Sequence, residues 1–504
     1  MRTNAGEHLD VLIVGAGLSG IGAGCHLRRR LPTASFAILE SRDAIGGTWD
    51  LFRYPGVRSD SDMHTLGYAF SPWRDARAIA DGPSILRYVT ETADRFGVTE
   101  RVRLGHRVVA ADWSEADGRW TVEARRADGE PITLTCSFLL TCCGYYDYAD
   151  GFTPTFPGAD EFAGEVIHPQ HWPEDLDYAG RRIVVIGSGA TAITLVPALA
   201  RRAAHVTMLQ RSPTYVISLP GHDPLARIAR RWLPERAAYT AIRAKNVALQ
   251  ALTYQLCRRF PRQARAVIRK GVAAQLPAGF DVDTHFRPAY DPWDQRVCVS
   301  PDGDLFAALR RGTASIATDR VARFTASGIA LESGAELAAD IIVTATGLRL
   351  QPIGGMSLSL DGEAVDLHSR LAYKGSMLSG VPNFAFVVGY TNASWTLKAD
   401  LTCDYVCRLL RHMDERGYLA CRPPAAPRGV QREPLIDLMS GYVMRALEDF
   451  PGQGSRRPWR LRQNYPLDRY EFTRRPVDDG VLQFSRPAAP SPRPIAVSTE
   501  PSPA

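Results

Sequence analysis

Two glycine-rich turns contain the residues of this 504-residue sequence whose types and spacing point most directly to chemistry. The first reads Gly15-x-Gly17-x-x-Gly20 and lies between an apolar, strand-like run and a helical segment. Glycines at these positions permit a tight turn and let backbone N–H groups approach a pyrophosphate at the positive end of the helix. The next predicted strand, FAILE, ends in Glu40, where a carboxylate can accept hydrogen bonds from a ribose. The first turn therefore predicts a dinucleotide site.

The second turn reads Gly187-x-Gly189-x-x-Ala192, and Ala190 and Thr191 open the helical segment that follows it. It comes directly after the apolar run RIVVI, so the context of strand, turn and helix is repeated. We expect the backbone N–H groups of this turn to bind the phosphates of a second dinucleotide.

The two turns differ at the end of the strand that follows each of them. Aligning FAILESR with VTMLQRS places Gln210 at the position of Glu40, followed by Arg211 and Ser212. A carboxylate would repel a 2′-phosphate, whereas Arg211, with Ser212 beside it, can bind one. The sequence thus predicts FAD at the first turn and NADPH at the second.

Two further strand-to-glycine turns predict where the chain passes between the two nucleotide-binding domains. TCCGYY (141–146) ends one apolar strand, and DIIVTATG (340–347) ends another in Thr346 and Gly347, which we also assign to the cofactor sites. The predicted fold class is α/β, with two Rossmann-like dinucleotide-binding domains, for FAD and NADP, and a helical insertion in the NADP domain. The predicted segments are 8–150 and 340–484 for the FAD domain, 151–220 and 291–339 for the NADP domain, 221–290 for the insertion and 485–504 for a disordered tail.

The length of the chain and the distribution of its charge set the larger frame. A chain of 504 residues exceeds what one hydrophobic core usually organises, so several domains are expected. The net charge of +6 comes from residues 221–270, where twelve Lys or Arg face two acids. Apolar residues there have helical spacing, and Pro234 and Pro261 are expected to divide the segment into helices. It is either a solvated insertion or a face that binds a membrane surface or a partner, whereas nucleic acid is not expected because no recognition motif accompanies the charge.

The cysteines and the apolar content indicate the compartment. Nine scattered cysteines without CxxC spacing argue against a disulfide framework or a zinc module and indicate a reducing environment. Neither a signal peptide nor a run of about 18 apolar residues is present, so neither secretion nor a membrane span is predicted. We expect a cytoplasmic protein, with membrane association left open by the basic segment. Residues 485–504 are rich in Pro, Ala and Ser and are predicted to be disordered.

A flavoprotein with two such turns is either a disulfide reductase or a monooxygenase. Flavin disulfide reductases carry a redox cysteine pair shortly after the ribose acid, in a segment that begins GGT followed by Cys. Here Gly47 and Thr48 are followed by Trp49 at that cysteine position, and we expect all three to bind the flavin. Cys142 and Cys143 are interpreted as buried, inert thiols. A monooxygenase is therefore favoured.

The same segment resembles Baeyer–Villiger monooxygenases, which belong to the class B flavin monooxygenases. GGTWDLFRYPGVRSD (46–60) matches the family pattern GxWxxxx(F/Y)PGxxxD, which ends in Asp60. FAGEVIHPQHWP (162–173) matches the fingerprint FxGxxxHxxxW(P/D) and precedes the second turn. In that family the fingerprint connects the flavin and NADP domains, so the resemblance implies that His168 is a linker residue. Further stretches, over roughly residues 8–470, resemble the thioamide-oxidising branch of the family.

The resemblance also implies the catalytic residues. NADPH reduces FAD, oxygen adds to give a C4a-peroxyflavin, and this peroxide attacks a ketone carbonyl or a sulfur atom. Arg296, in YDPWDQRVCV, matches the active-site arginine of the family and would stabilise negative charge near the flavin. Asp60 would orient Arg296, and Asp60 or its neighbour Asp62 can also cap the following helix, since the two roles are compatible. Gln295 departs from the family, since many members carry lysine there to bind the 2′-phosphate.

The predicted function is an FAD-dependent, NADPH-consuming monooxygenase that converts ketones to esters or lactones and oxygenates thioethers or thioamides. Its partners are a small ketone or thioether substrate and molecular oxygen, and no oligomeric state is predicted. The alternative enzyme is an N- or S-oxygenating flavin monooxygenase with little activity on ketones. An NADPH sensor without turnover is the alternative from another class.

Three residues retain more than one interpretation. His168 and His171 are a histidine pair, but Pro169 and Pro173 disfavour a helix that would present both to one metal ion, and no third ligand lies nearby in the sequence. No metal is therefore expected. Trp395 either lines the substrate or nicotinamide pocket, as the resemblance implies, or is a core tryptophan.

Overall fold

The computed structural model describes residues 7–425 and 429–487, and its largest element is a nine-stranded sheet. The strand His8–Val14 lies in parallel between Phe36–Leu39 and Pro131–Thr141, and its last four residues are all buried. A continuous apolar, buried run such as these four residues is typical of parallel sheets that are covered on both faces. The spatial order of the sheet is Glu363–Ala364, Ser357–Leu360, His106–Ser114, Arg119–Arg126, Pro131–Thr141, His8–Val14, Phe36–Leu39 and Val102–Arg103, with Phe384–Phe386 beside Pro131–Thr141.

A second sheet has five strands, all of them parallel. Their spatial order is Ala314–Thr318, His205–Gln210, Arg182–Ile186, Ile341–Thr344 and Glu165–Ile167. The assignment of residues 340–347 to the flavin domain is wrong for the strand Ile341–Thr344, which is hydrogen-bonded inside this sheet. The run IIVT is apolar throughout and fits a buried strand of either sheet, so its composition did not identify its neighbours.

The chain passes between the two sheets at two segments that pair with each other. Tyr146–Gly151 follows the first sheet, Leu348–Leu350 follows the second, and the two strands form an antiparallel ladder. The two sheets are therefore joined by a paired connection rather than by two independent loops.

The basic segment is helical, as predicted. It forms Pro224–Trp232, Glu235–Arg259 and Pro261–Ala273, so the expectation that Pro234 and Pro261 divide it is confirmed. Proline fits these places because the first turn of a helix needs no N–H donor. The remaining helices are Leu18–Arg30, Thr48–Leu51, Met63–Leu66, Gly82–Arg95, Ala190–Leu199, Val282–Phe286, Asp304–Arg311, Trp395–Arg416, Gly441–Met444 and Tyr465–Arg474, with 3₁₀ turns at Thr99–Arg101, Pro169–His171 and Pro352–Gly355.

Small ladders complete the structure. Val216–Leu219 pairs with Cys298–Pro301, Ala372–Tyr373 with Met377–Leu378, Arg432–Pro434 with Gly452–Gly454, and Ala420–Arg422 with Gln483–Ser485. Gly328–Leu331 lies between Val321–Thr325 and Glu336–Ala338 and pairs with both. Ser485 lies in a strand, so the predicted tail starts too early, and residues 488–504 lie outside the described residues. Across the two described ranges, no helix is both long enough and apolar enough to cross a bilayer.

Candidate active site

The first glycine turn is packed so closely that Gly15 and Gly20 cannot be replaced without displacing backbone. A Cβ atom on Gly15, whose φ is +98°, would lie 2.9 Å from the carbonyl oxygen of Cys142. A Cβ atom on Gly20 would lie only 1.8 Å from the carbonyl oxygen of Gly15. These two glycines therefore bring the helix Leu18–Arg30 directly against the strand ends.

Glu40 lies at the turn, as the sequence predicted, and is 5% exposed. Its carboxylate accepts hydrogen bonds from the backbone N–H groups of Ala16, at 2.7 Å, and Arg42, at 2.9 Å. These contacts hold the carboxylate at the end of its strand, beside the glycine turn. A carboxylate in this place has remaining acceptor sites for ribose hydroxyls.

The segment that contains Gly47, Thr48 and Trp49 closes over the first turn. A Cβ atom on Gly17 would lie 3.5 Å from the Cα atom of Gly47, which has a φ of +58°. The hydroxyl of Thr48 shares a hydrogen bond of 3.0 Å with that of Tyr148. Trp49 packs against the cores of both sheets. The structure thus brings the predicted flavin-binding residues together, and it adds Tyr148, which the sequence reasoning missed.

In the second glycine turn, one glycine permits close packing of the backbone and another leaves open space for a ligand. Gly187, with a φ of +136°, is packed tightly, because a Cβ atom there would lie 2.3 Å from the carbonyl oxygen of Ala345. Gly189 is different: it is exposed, and a Cβ atom there would meet nothing within 4 Å. Gly189 precedes the helix Ala190–Leu199, which begins with Ala190 and Thr191. Open space at the N-terminus of a helix of this length is what a bound phosphate needs.

The residues after the second turn behave only partly as the alignment predicted. Arg211 and Ser212 are exposed at the end of the strand His205–Gln210, and the hydroxyl of Ser188 donates to the carbonyl of Ser212 at 3.0 Å. Gln210, aligned with Glu40, is buried and donates to the carbonyl of His285 at 2.9 Å. Gln210 therefore holds the short helix Val282–Phe286 in place. Arg211, which directly follows it in the sequence, remains the cation predicted to bind a ribose phosphate.

Arg296 and Asp60 are 236 residues apart in sequence and meet in the structure. The Nη1 atom of Arg296 lies 3.5 Å from the Oδ2 atom of Asp60, and each side chain is about one third exposed, at 34% and 32%. The alternative role for Asp60 as a helix cap is not what the structure shows, because Asp62 accepts the N–H of Thr65 at the start of Met63–Leu66. Asp60 is free to orient the guanidinium.

Three tyrosines that the sequence reasoning missed, Tyr145, Tyr146 and Tyr442, lie near enough to Arg296 to affect its pKa. Burial alone would lower the pKa of the guanidinium, but Tyr145, Asp60, Tyr442 and Tyr146 together raise this pKa above its ordinary value. Arg296 therefore stays charged at any working pH. The signal was in the sequence, since two of these tyrosines end the stretch TCCGYY that was considered only for its strand end.

Trp395 connects this aromatic group to the first glycine turn. Its ring centroid lies 5.2 Å from that of Tyr145, and its Nε1–H group donates to the hydroxyl of Ser19 at 2.8 Å. Ser19 is the second residue of the helix Leu18–Arg30, and Trp395 is the first of Trp395–Arg416. Trp395 is thus partly buried in the core and also part of the wall around Arg296.

His168 occupies the connection between the two sheets. Its Nδ1 atom accepts the backbone N–H of Gln170 at 3.2 Å, so Nε2 carries the hydrogen that is donated to the carbonyl of Gly347 at 3.1 Å. Burial lowers the pKa of His168. The hydrogen bond to Gly347 raises this pKa, but by less, so the pKa remains below its ordinary value. His171 hydrogen-bonds the carbonyl of Ala149. Among the residues that the structure describes, no cluster of His, Cys, Asp or Glu has the arrangement of a metal site.

Thr346 and Gly347, predicted as cofactor-binding, form hydrogen bonds within the same connection. The hydroxyl of Thr346 donates to the carbonyl of Phe152 at 2.5 Å, and the carbonyl of Gly347 accepts the N–H of Phe152 at 3.1 Å. Their contribution to a cofactor site stays a prediction, while their part in the connection between the sheets is visible.

The cysteines contribute no redox pair. All nine are free thiols, and eight of them are buried. Burial raises the pKa of Cys143 to about 12 and holds that of its neighbour Cys142 well above its ordinary value, so neither forms a thiolate readily. Both lie where the strand Pro131–Thr141 ends, against the first glycine turn, which is a packing position.

The two turns fit the two dinucleotides that the sequence predicts. At the first turn, closely packed glycines and a carboxylate that is held in place suit the pyrophosphate and ribose of FAD. At the second, the open space at Gly189 and the exposed cation of Arg211 suit a phosphorylated dinucleotide. A third group contains charged and aromatic side chains, namely Arg296, Asp60 and the three tyrosines. Binding of a dinucleotide at either glycine turn does not require it.

Comparison with known proteins agrees with these features. Residues 9–224 match the family model of FMO-like, flavin-binding monooxygenase-like proteins. The chain is 55% identical to the FAD-containing monooxygenase EthA of Mycobacterium tuberculosis, over 96% of this chain and 99% of that protein. It is 50% identical to the putative FAD-containing monooxygenase MymA of the same species, over 96% and 98% of the two chains. It is 48% identical to the probable FAD-binding monooxygenase AlmA of Acinetobacter baylyi, over 95% and 97%.

Solved structures show the same fold at lower identity. An oxidised steroid monooxygenase bound to NADP superposes with a TM-score of 0.74 at 22% identity, over 95% of this chain and 100% of that one. A cyclohexanone monooxygenase in an open form superposes with a TM-score of 0.70 at 22% identity, over 83% and 90%. The two-dinucleotide α/β architecture is thereby confirmed. With 55% identity along almost its whole length, the chain belongs to the family of FAD-containing monooxygenases that includes EthA.

Proposed function

We propose that this flavin monooxygenase inserts an oxygen atom beside the carbonyl of small ketones, giving esters or lactones, and also oxygenates thioethers and thioamides. The observation that supports the proposal most strongly is the pairing of Arg296 with Asp60, with three tyrosines close enough to influence the guanidinium. A permanent cation that is fixed by a carboxylate and screened by aromatic rings can bind an oxyanion, which dinucleotide binding alone does not require.

The cofactors would be held by the two turns. Gly15, Gly17, Glu40 and the segment around Trp49 would hold FAD, and Gly189 with Arg211 would hold NADPH. When bound, NADPH supplies two electrons to FAD, and the reduced flavin activates molecular oxygen. The residues of the chain supply binding, orientation and charge, and the oxidative chemistry belongs to the flavin.

Arg296 has one defined task in the reaction with a ketone. As an oxygen nucleophile adds to the carbonyl carbon, negative charge develops on the carbonyl oxygen of the substrate. A guanidinium holds that charge without changing its own protonation, because its pKa lies far above the working pH. Asp60 accepts from the guanidinium and directs its remaining N–H groups away from itself.

Tyr145, Tyr146 and Tyr442 add aromatic side chains near Arg296, whose own side chain is about one third exposed. Burial raises the pKa of Tyr146 well above its ordinary value, so its hydroxyl stays protonated. A protonated hydroxyl beside a guanidinium can donate to a substrate carbonyl as well. Oxygen transfer to sulfur develops no carbonyl oxyanion, so it depends less on the Arg296 charge.

The two substrate classes give a direct test. Wild-type protein with FAD, NADPH and oxygen is supplied with phenylacetone or with a thioether, and ester, sulfoxide and consumed NADPH are quantified. Replacing Arg296 with alanine is expected to lower ester formation by about 100-fold or more, as is typical when one oxyanion-stabilising group is lost, while sulfoxide formation falls less. Equal losses on both substrates would contradict the assigned role of Arg296. Sulfoxide without ester in the wild-type protein would instead identify a heteroatom oxygenase.

A further inference from the structure

The first helix of the basic insertion, Pro224–Trp232, presents an apolar stripe to solvent. Leu225 is 59% exposed, Ile228 54% and Trp232 76%. Their spacing of three and four residues places them on one face of the helix. Large apolar side chains exposed as a group, unlike single exposed leucines, indicate an interaction surface.

The second helix, Glu235–Arg259, carries a similar stripe along its C-terminal half. Leu249, Leu252 and Leu256 are 58%, 57% and 48% exposed, and Phe260, which follows the helix, is 44% exposed. The spacing of three, four and four residues again selects one face. Exposed apolar stripes therefore run along two successive helices of the same insertion.

The opposite faces of these helices are fixed to the body of the protein. The guanidinium of Arg230 donates to the carbonyls of Trp73, Arg74 and Asp75, at 2.8 to 3.0 Å. Arg243 is buried and donates to the carbonyls of three residues at the start of the flavin domain, His64, Thr65 and Gly67. These contacts keep the helices from turning their apolar stripes inward.

The insertion also has positive charge that the protein does not neutralise. Its two acids between residues 221 and 270 are already paired, Asp223 with Lys245 and Glu235 with Arg74. Within the described part of the chain, five exposed arginines of the insertion have no carboxylate partner, namely Arg227, Arg231, Arg236, Arg259 and Arg262. Two of these adjoin the exposed aromatic residues Trp232 and Phe260 in sequence.

We propose that the helical insertion docks on the surface of an anionic lipid bilayer. Exposed leucines, a tryptophan and a phenylalanine would enter the boundary between headgroups and acyl chains, while the unpaired arginines would contact lipid phosphates. Tryptophan favours this boundary because its ring is apolar and its N–H group can stay hydrated. The interleaving of cations with apolar residues fits an anionic bilayer better than it fits the neutral, largely apolar centre of a protein interface.

The test uses the flavin-loaded protein and vesicle flotation. Vesicles are prepared from phosphatidylcholine alone, or with about one third phosphatidylglycerol, and binding is measured at low salt and at roughly 0.5 M NaCl. We expect the protein to float with the anionic vesicles at low salt, to float less at high salt, and to stay unbound with phosphatidylcholine. Trp232 should shift its fluorescence to shorter wavelength on binding, and the Trp232→Phe variant should lose that shift.

Matched variants distinguish binding through this surface from attraction by the overall positive charge of the protein. Replacing Arg227 and Arg231 with glutamine should weaken partitioning to anionic vesicles by about 25-fold, at about fivefold for each arginine. The control replaces Arg107 and Arg125, an exposed cross-strand pair of the first sheet, and should leave partitioning unchanged. Both double variants alter exposed residues far from the glycine turns in sequence, so NADPH oxidation should persist and confirm folding.

Two results would overturn the proposal. In the first, the wild-type protein remains in the unbound fraction with anionic vesicles at low salt, or both double variants bind equally. In the second, sedimentation velocity shows self-association that the replacement of Ile228 and Trp232 with serine abolishes, while no vesicle binding occurs. That second result would assign the surface to another copy of the chain.

Discussion

Gly187 and Gly189 lie two residues apart in one turn, and the structure predicts opposite consequences for replacing each with alanine. At Gly189 the φ and ψ angles of −75° and −177° suit any residue, and an added Cβ atom meets nothing within 4 Å. Gly189→Ala should therefore leave the free energy of unfolding unchanged or raise it slightly. The space it fills is the one assigned to a phosphate of NADPH.

The size of the binding effect follows from the hydrogen bonds at stake. A hydrogen bond from a backbone N–H group to a charged partner contributes about 1.5–3 kcal/mol, so displacing one phosphate contact should raise KM for NADPH by about 10- to 150-fold. The flavin content should stay at its wild-type level, because the first turn is untouched. The assay is steady-state NADPH oxidation in the presence of substrate, together with the flavin-to-protein ratio.

Gly187→Ala is the companion variant. Its Cβ atom would lie 2.3 Å from the Ala345 carbonyl oxygen, at a φ of +136°, so it should destabilise the fold by about 2 kcal/mol or more. Thermal unfolding monitored by flavin release would report this loss. A Gly189→Ala variant with unchanged KM for NADPH, or with the larger loss of stability, would refute the division of roles between the two glycines.

Three further outcomes are expected. Asp60→Asn should lower the ratio of ester to sulfoxide by about fivefold, since a partly exposed pair at 3.5 Å contributes about 1 kcal/mol; an unchanged ratio would remove Asp60 from the positioning of Arg296. His168 has a pKa below its ordinary value of 6.5, so as the pH falls the histidine is protonated in the unfolded chain before it is protonated in the folded one. The free energy of unfolding should therefore decrease as the pH drops below about 6.5. Denaturant titrations should show a smaller decrease for His168→Asn. Cys143→Ala should keep the rate of substrate-coupled NADPH oxidation within about twofold, whereas loss of turnover would revive a thiol mechanism.

The glycine turns could be predicted because their requirement is local. Backbone geometry at Gly15 and Gly187 excludes a side chain, and each turn follows four consecutive apolar residues, VLIV and IVVI, so sequence spacing reports the structure directly. The linker position of His168 was also implied by a short, continuous fingerprint, and its hydrogen bonds join the two sides of the connection.

Features that depend on contacts between distant segments were missed or misplaced. The strand Ile341–Thr344 has no polar alternation, so nothing in it distinguishes the second sheet from the first. Gln210 was aligned with Glu40, but its inward direction depends on His285, 75 residues away. Tyr442 reaches the surroundings of Arg296 from a short helix near the end of the chain, and no local pattern marks it.

The central claim is that the charge of Arg296 directs oxygen transfer to a ketone carbonyl, and an isotope experiment tests it most directly. The protein is supplied with FAD, NADPH, phenylacetone and ¹⁸O₂, and the benzyl acetate formed is analysed by mass spectrometry beside the NADPH consumed. The structure predicts one ¹⁸O atom in the bridging oxygen of each ester and one NADPH oxidised per ester, with ester lost in Arg296→Ala. NADPH oxidation that yields hydrogen peroxide without labelled ester, or labelled ester formed equally well by the Arg296→Ala variant, would contradict it.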